Sequence, residues 1–209
     1  MKRLSRAEQV GRNRALVLDA ARRVFLARGY HAATLEQIAE EAGFSKGVMY
    51  SQFDSKADLF LALLEARIEE RAVENARLAQ SLPDGDLSSL LDHLARGDQA
   101  TPGWLLLVIE FRVHAARDPE LSRRYAAAHA RTVEALAGVL AAVCARNGQA
   151  PAIPARRLAE VLLAFSAGAT LELAANPALG GRQLAARLAQ VLEPLVRPPA
   201  PAQTGSARP

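Results

Sequence analysis

The stretch Thr34-Leu-Glu-Gln-Ile-Ala-Glu-Glu-Ala-Gly-Phe-Ser-Lys-Gly-Val-Met-Tyr-Ser51 decides how this chain is read. Thr34 followed three residues later by Gln37 is a capping box, in which the hydroxyl accepts the Gln37 amide and the Gln37 side chain reaches back. It opens a short helix over 34–42. Gly43 closes that helix, because glycine takes positive φ at no steric cost. Ser45 then caps a second short helix over 45–51. Leu35, Ile38, Ala39, Phe44, Met49 and Phe53 give apolar positions that hold the pair together. Short helix, glycine turn, short helix is the pattern of a helix-turn-helix, and on pattern alone an ordinary helical hairpin competes with it.

Helical signals continue on both sides. Upstream, Leu16, Val17, Ala20, Ala21, Val24 and Phe25 form one stripe of a helix over 6–28, with Gly29 placed as its C-cap. Downstream, Ser55-Lys-Ala-Asp58 is a second capping box and opens a long helix to about residue 81, broken by Pro83, Gly85 and Asp86. Further helices are expected over 87–96 and 102–116, then from Asp118-Pro119 to about residue 147, and finally over 155–175 and 180–196. Residues 197–209, with Pro198, Pro199, Pro201 and Gly205, read as a disordered tail. Alanine occurs 44 times against 22 for Val, Ile and Thr together, so propensity agrees with periodicity on an all-α fold.

Charge and rare residues narrow the function. Lys and Arg number 26 against 22 for Asp and Glu, a formal charge of +4, and residues 1–14 alone carry +4. The excess therefore sits on an N-terminal arm that suits a polyanion. A single cysteine, Cys144, excludes an internal disulfide framework and a cysteine zinc cage. His31, His93, His114 and His129 form no metal-ligand spacing, so neither a metal nor another cofactor is expected. The chain has no nucleophile elbow, phosphate loop or Cys/His pair at informative spacing, which argues against an enzyme. Its start is polar, and wholly apolar runs such as Leu105 to Ile109 are too short for a bilayer. No membrane association and a cytoplasmic location are expected.

From Thr34 to Phe60 the chain closely resembles the N-terminal domain of the TetR/AcrR family of bacterial transcriptional regulators, with the likeness strong over about residues 10–65. The resemblance implies an N-terminal arm and DNA-binding domain over 1–55, then an effector-binding and dimerisation domain over 56–196. Lys46, Gly47, Val48 and Ser51 become the candidate base readers. Lys46 would donate to guanine O6 or N7, and Val48 would pack on a thymine methyl group. Thr34, Tyr50, Gln52 and Lys56 resemble phosphate-contacting positions, and Ser45 stands with them at a helix start. Ser51 and Gln52 depart from the family pattern, where His or an aromatic is frequent. The arm, through Arg3, Arg6, Arg12 and Arg14, is placed to follow the minor groove or nearby phosphates.

For the C-terminal part the resemblance implies a homodimer in which the last two helices pair with their copies, using Leu162, Phe165, Ala169, Leu184, Leu188 and Val191. Burial within one subunit is the alternative. The helix over 102–116 is apolar nearly all round and is expected to lie wholly inside its domain. Trp104, Phe111 and Tyr125 are candidates to line a small-molecule effector pocket, with Glu110, His114 or His129 as polar contacts; a plain core with a structural Glu110 is the alternative. The expected function is thus a ligand-responsive repressor released from a palindromic double-stranded operator. A helical small-molecule carrier or enzyme is the competing class.

Overall fold

A computed structural model describes residues 5–81, 103–146 and 152–180, together with Gln183, Ala186, Arg187, Gln190 and Val191. Among these residues the secondary structure is helical throughout: α1 (Arg6–Ala32), α2 (Leu35–Ala42), α3 (Lys46–Tyr50), α4 (Lys56–Ser81), α5 (Trp104–Ala115), α6 (Pro119–Arg146), α7 (Ala155–Ala175) and a 3-10 turn, Pro177–Leu179. The helix expected over 87–96 and the tail over 197–209 lie outside the described residues. Of the helix expected over 180–196, the five separate residues named above are helical and exposed, while Leu184 and Leu188 are not described.

The capping chemistry read from the sequence sets the element boundaries. Ser5 and Glu8 form a capping box that starts α1. Gly29, at φ 75° and ψ 168°, interrupts α1 where a C-cap was expected, and one further turn of chain runs to Ala32. Asp118 Oδ1 accepts the amides of Glu120 and Leu121 at 2.9 and 3.1 Å, and Pro119 takes the first position of α6. Each such cap contributes about 1 kcal/mol.

The chain divides into two compact units, one of residues 1–71 and 100–131, the other of residues 72–99 and 132–209. This division differs from the functional boundary drawn at 55/56, because the first half of α4, all of α5 and the start of α6 belong with α1–α3. The first unit is packed with rings. Phe25, Tyr30, Phe60 and Phe111 are at most 2% exposed, and the Phe60 and Phe111 rings stack at 4.2 Å. The second unit has an aliphatic core of Val133, Leu136, Leu140, Val143, Cys144 and Leu158, with Leu162 completing it.

α5 corrects one expectation. It buries a single face, Trp104, Leu107, Phe111 and Ala115, whereas Val113 is 54% exposed. Four residues at helical spacing suffice to seal one side, and nothing in apolar composition requires the other side to be covered. α6 and α7 are long and apolar enough to cross a membrane by length and composition alone, a property that core helices of many soluble proteins share.

Candidate nucleic-acid interface

The site is built on two helices too short to stand alone in water, eight residues in α2 and five in α3. Their caps and one anchor hold them. Thr34 Oγ1 accepts the Gln37 amide at 3.2 Å, and Gln37 Oε1 accepts the Thr34 amide at 3.1 Å. Gly43 sits at φ 73°, and the Phe44 amide donates back to the Ala39 carbonyl at 2.9 Å, which turns the chain sharply into α3. Ser45 Oγ accepts the Val48 amide at 3.4 Å. Met49, fully buried, fixes α3 to the core shared with Ile38 and Phe53.

With Met49 turned inward, Lys46, Gly47, Tyr50 and Ser51 are exposed, and Val48 and Gln52 are half-buried beside them. The structure therefore brings the expected reading residues onto one surface. Ser51 Oγ donates to the Val48 carbonyl at 2.8 Å. A methyl group at Gly47 would meet only Ser45 Oγ, at 3.9 Å. The protein itself leaves room for a side chain there.

One participant was missed in the sequence. The Tyr50 hydroxyl donates to Glu36 Oε1 at 3.1 Å, and Lys46 Nζ lies 3.9 Å from the same oxygen. The Glu36 backbone amide and then the Tyr50 hydroxyl hold the carboxyl below the usual range, while Glu36 pushes the Tyr50 phenol up. No periodic signal links positions 14 residues apart on different helices. Only the turn at Gly43 makes them neighbours.

Lys56 has a different occupation from the phosphate contact expected of it. Its ammonium donates to the carbonyls of Tyr30, His31 and Ala33 at 2.7, 3.0 and 2.8 Å and lies 4.7 Å from the Tyr30 ring centre. Those three bonds use its three donors. On the other side of the same turn Glu110 Oε2 accepts the Tyr30 amide at 2.8 Å, and a Cβ on Gly29 would come within 2.9 Å of that oxygen. The link that delivers Thr34 to the start of α2 is thus gripped by an ammonium from α4 and a carboxylate from α5.

Of the residues expected around an effector pocket, Trp104, Phe111 and Tyr125 lie in the core of the first unit, the alternative that the sequence left open. Trp104, Phe111 and Tyr125 are at most 9% exposed, and Phe111 packs on Phe60 and on Tyr125, with ring centres 6.0 Å apart in the latter pair. His114 lies against Tyr30 at 5.0 Å, and His129 stacks on Tyr125 at 5.9 Å. Aromatic residues on an inward stripe look the same in sequence whether they face a ligand or one another. A cleft of about 440 Å³ in this unit lies elsewhere, between Arg14, Gln52, Phe53, Asp58, Glu65 and Arg124.

Of the residues expected at a dimer surface, one is taken up inside the subunit. Leu162 is 2% exposed and packs within the subunit, with Phe165 partly buried against the same cluster and Ala169 half-buried. The exposed apolar face of α7 is Val161 at 41% and Leu171 at 47%, with Ala164 and Gly168 between them, and Val191 is 68% exposed. Leu158 and Leu162 are one turn apart and face the core of their own unit, so Val161 and Leu171 point the other way.

Among the described residues no group of His, Cys, Asp and Glu is arranged to hold a metal ion. Cys144 is buried, and burial pushes its thiol pKa up.

Residues 17–63 match the model of the tetR family of bacterial regulatory proteins, and residues 83–197 match that of the C-terminal part of BetI-type transcriptional repressors. The chain is 46% identical over 67 residues to the HTH-type transcriptional activator FasR of Mycolicibacterium smegmatis, covering 32% of this chain and 29% of that one. It is 31% identical over 119 residues to the HTH-type transcriptional repressor Rv1474c of Mycobacterium tuberculosis, covering 57% and 59%. These matches therefore span less than two thirds of either relative. In fold it is similar to the regulator FadR of Bacillus subtilis, solved in complex with stearoyl-CoA, with a TM-score of 0.64, 19% identity and 87% and 97% of the two chains covered.

Proposed function

The chain belongs to the tetR family of bacterial regulatory proteins, and on that premise we propose that it is a cytoplasmic, homodimeric repressor that a small-molecule effector releases from a palindromic operator. The observation that carries the reading is the surface of α3, where Lys46, Gly47, Tyr50 and Ser51 stand clear of the protein around a single buried anchor, Met49. Lys46 reads guanine from the first turn of the recognition helix, Val48 meets a thymine methyl group, and Gly47 lets backbone and base approach. Thr34, Ser45 and Gln52 fix register on phosphates, while the one hydroxyl proton of Tyr50 is held by Glu36. Lys56 holds the turn before α2. Arg12 and Arg14, both exposed on α1, supply charge toward the duplex.

α7 supports the dimer. It is apolar over most of its length, yet only 17% of that stretch is buried within the subunit. A second copy covering Val161, Ala164, Gly168 and Leu171 accounts for that surface without a membrane, because small residues let two helices approach closely. With the aromatic cluster of the first unit, Trp104, Phe111 and Tyr125 included, filled by its own rings, we assign the effector to the rest of the stretch that matches the repressor C-terminal model, outside residues 100–131. Effector binding favours a spacing of the two reading heads that no longer matches successive major grooves. We assign the chain no reaction of its own.

Purified protein is incubated with sheared genomic DNA at moderate salt, and the recovered fragments are sequenced beside those recovered by Lys46→Ala. Recovery of one shared palindromic element, lost with Lys46→Ala, is the expected result. Diffuse recovery that ignores the substitution would overturn the reading in favour of a helical carrier.

A further inference from the structure

Glu36 lies in the first turn of α2, its side chain 41% exposed, against 69% for Lys46. An exposed ion pair of this kind adds little to stability. Its place matters more than its strength. Both of its partners, Tyr50 through a 3.1 Å hydrogen bond and Lys46 at 3.9 Å, belong to the surface proposed to meet DNA. A carboxylate among phosphates is repelled, and one pressed against base edges that offer only acceptors loses its water and gains no partner. Cytosine alters that balance. Its N4 amino group is a donor on the major-groove edge, which a carboxylate can accept.

We propose that Glu36 is a specificity-determining residue that accepts the N4 amino group of a cytosine in each half-site, its carboxylate held toward the groove by the Tyr50 hydroxyl and the Lys46 ammonium. The inference rests on the DNA-reading function proposed above. Because its own backbone amide and the Tyr50 hydroxyl favour its charged form, Glu36 acts as an acceptor throughout the neutral pH range. Guanine or thymine there leaves the charge unsatisfied, and adenine sets its N7 acceptor against the carboxylate beside its one donor, so discrimination comes as much from the penalty on wrong sites as from the bond on the right one.

The test uses a library of random-sequence duplexes, from which bound DNA is selected with the wild type, with Glu36→Gln and with Glu40→Gln. Glu40 is an exposed acid on the same helix and controls for bulk charge. The wild type is expected to enrich an element with a fixed cytosine in each half-site, and changing that base should weaken binding about tenfold. Glu36→Gln should relax that position alone, to a penalty under about twofold, with adenine admitted because a carboxamide pairs with it. Glu40→Gln should select the wild-type element. Identical elements and penalties for wild type and Glu36→Gln would overturn the proposal while leaving DNA reading intact. A wild type that enriches nothing would instead overturn the DNA reading, and this proposal with it. Without DNA, Glu36→Gln should bring the Tyr50 titration down, and an unmoved titration would remove the contact on which the proposal stands.

Discussion

The two compact units solve the problem of stability differently. The first packs Phe25, Tyr30, Phe53, Phe60, Trp104, Phe111 and Tyr125 into one cluster, which carries two helices of eight and five residues. The second relies on Val, Leu and Ala along longer helices and leaves Val161 and Leu171 uncovered on α7. Rings bury large areas at low conformational cost, so the first unit holds short elements rigidly without help. An aliphatic layer with an exposed apolar face fits a surface meant for another copy. On the proposed function, rigidity serves reading, and the uncovered face serves assembly.

The sharpest way to break this comparison is to charge the uncovered face. Leu171→Glu should keep the helical fold, because the side chain is already half in solvent, yet turn the dimer into monomers and weaken operator binding by about 100-fold through lost avidity. Sedimentation and operator titration check it, and a variant that stays dimeric would return α7 to solvent. An effect of comparable size is expected in the ring cluster. Phe111→Ala should cost about 3 to 5 kcal/mol in urea unfolding, more than Val143→Ala in the aliphatic core, since both sites are fully buried and the ring removes more volume.

Alkaline pH sharpens the comparison further. Burial first, then the charge on Asp58, pushes the Tyr30 phenol up to about 12 from 10.0. Between those values the unfolded chain has released a proton that the folded chain retains, so stability falls as pH rises from 10 to 12, by about 2 kcal/mol. The fall should be smaller by that amount in Tyr30→Phe, measured by urea unfolding at a series of pH values. The smallest effect is expected at the Arg131–Glu65 ion pair, whose two side chains are about half exposed. Arg131→Ala should cost under about 1 kcal/mol. A larger loss would mean that surface charge, besides rings, holds the first unit.

Much of this was legible in the sequence where chemistry is local. The Thr34–Gln37 box, the Ser45 cap, the left-handed Gly43 and the Asp118-Pro119 start each form among residues a few positions apart, and the structure shows each of them. The inward stripe of α1 was equally plain, with Val17, Ala20, Ala21 and Phe25 all at 0% exposure. Long-range choices were not legible. Lys56 had the look of a phosphate contact until three carbonyls from the end of α1 were found on it, 23 to 26 residues away. Glu110, expected at a pocket or in a core, bonds the amide of Tyr30, 80 residues distant.

The sequence by itself determined the all-α class, the boundaries of α2 and α3, and the glycine turn between them, because hydrogen bonds between near neighbours and a 3.6-residue period depend on local order alone. The tertiary structure decided which apolar residues face a core and which face outward, and which charges meet. It turned Leu162 inward and Leu171 outward on one helix, closed the aromatic cluster on itself, and set Glu36 against Tyr50 and Lys46. Those outcomes depend on which helix faces meet once the chain has turned at Gly29 and Gly43, and a period along one helix says which residues share a face without saying what that face will touch.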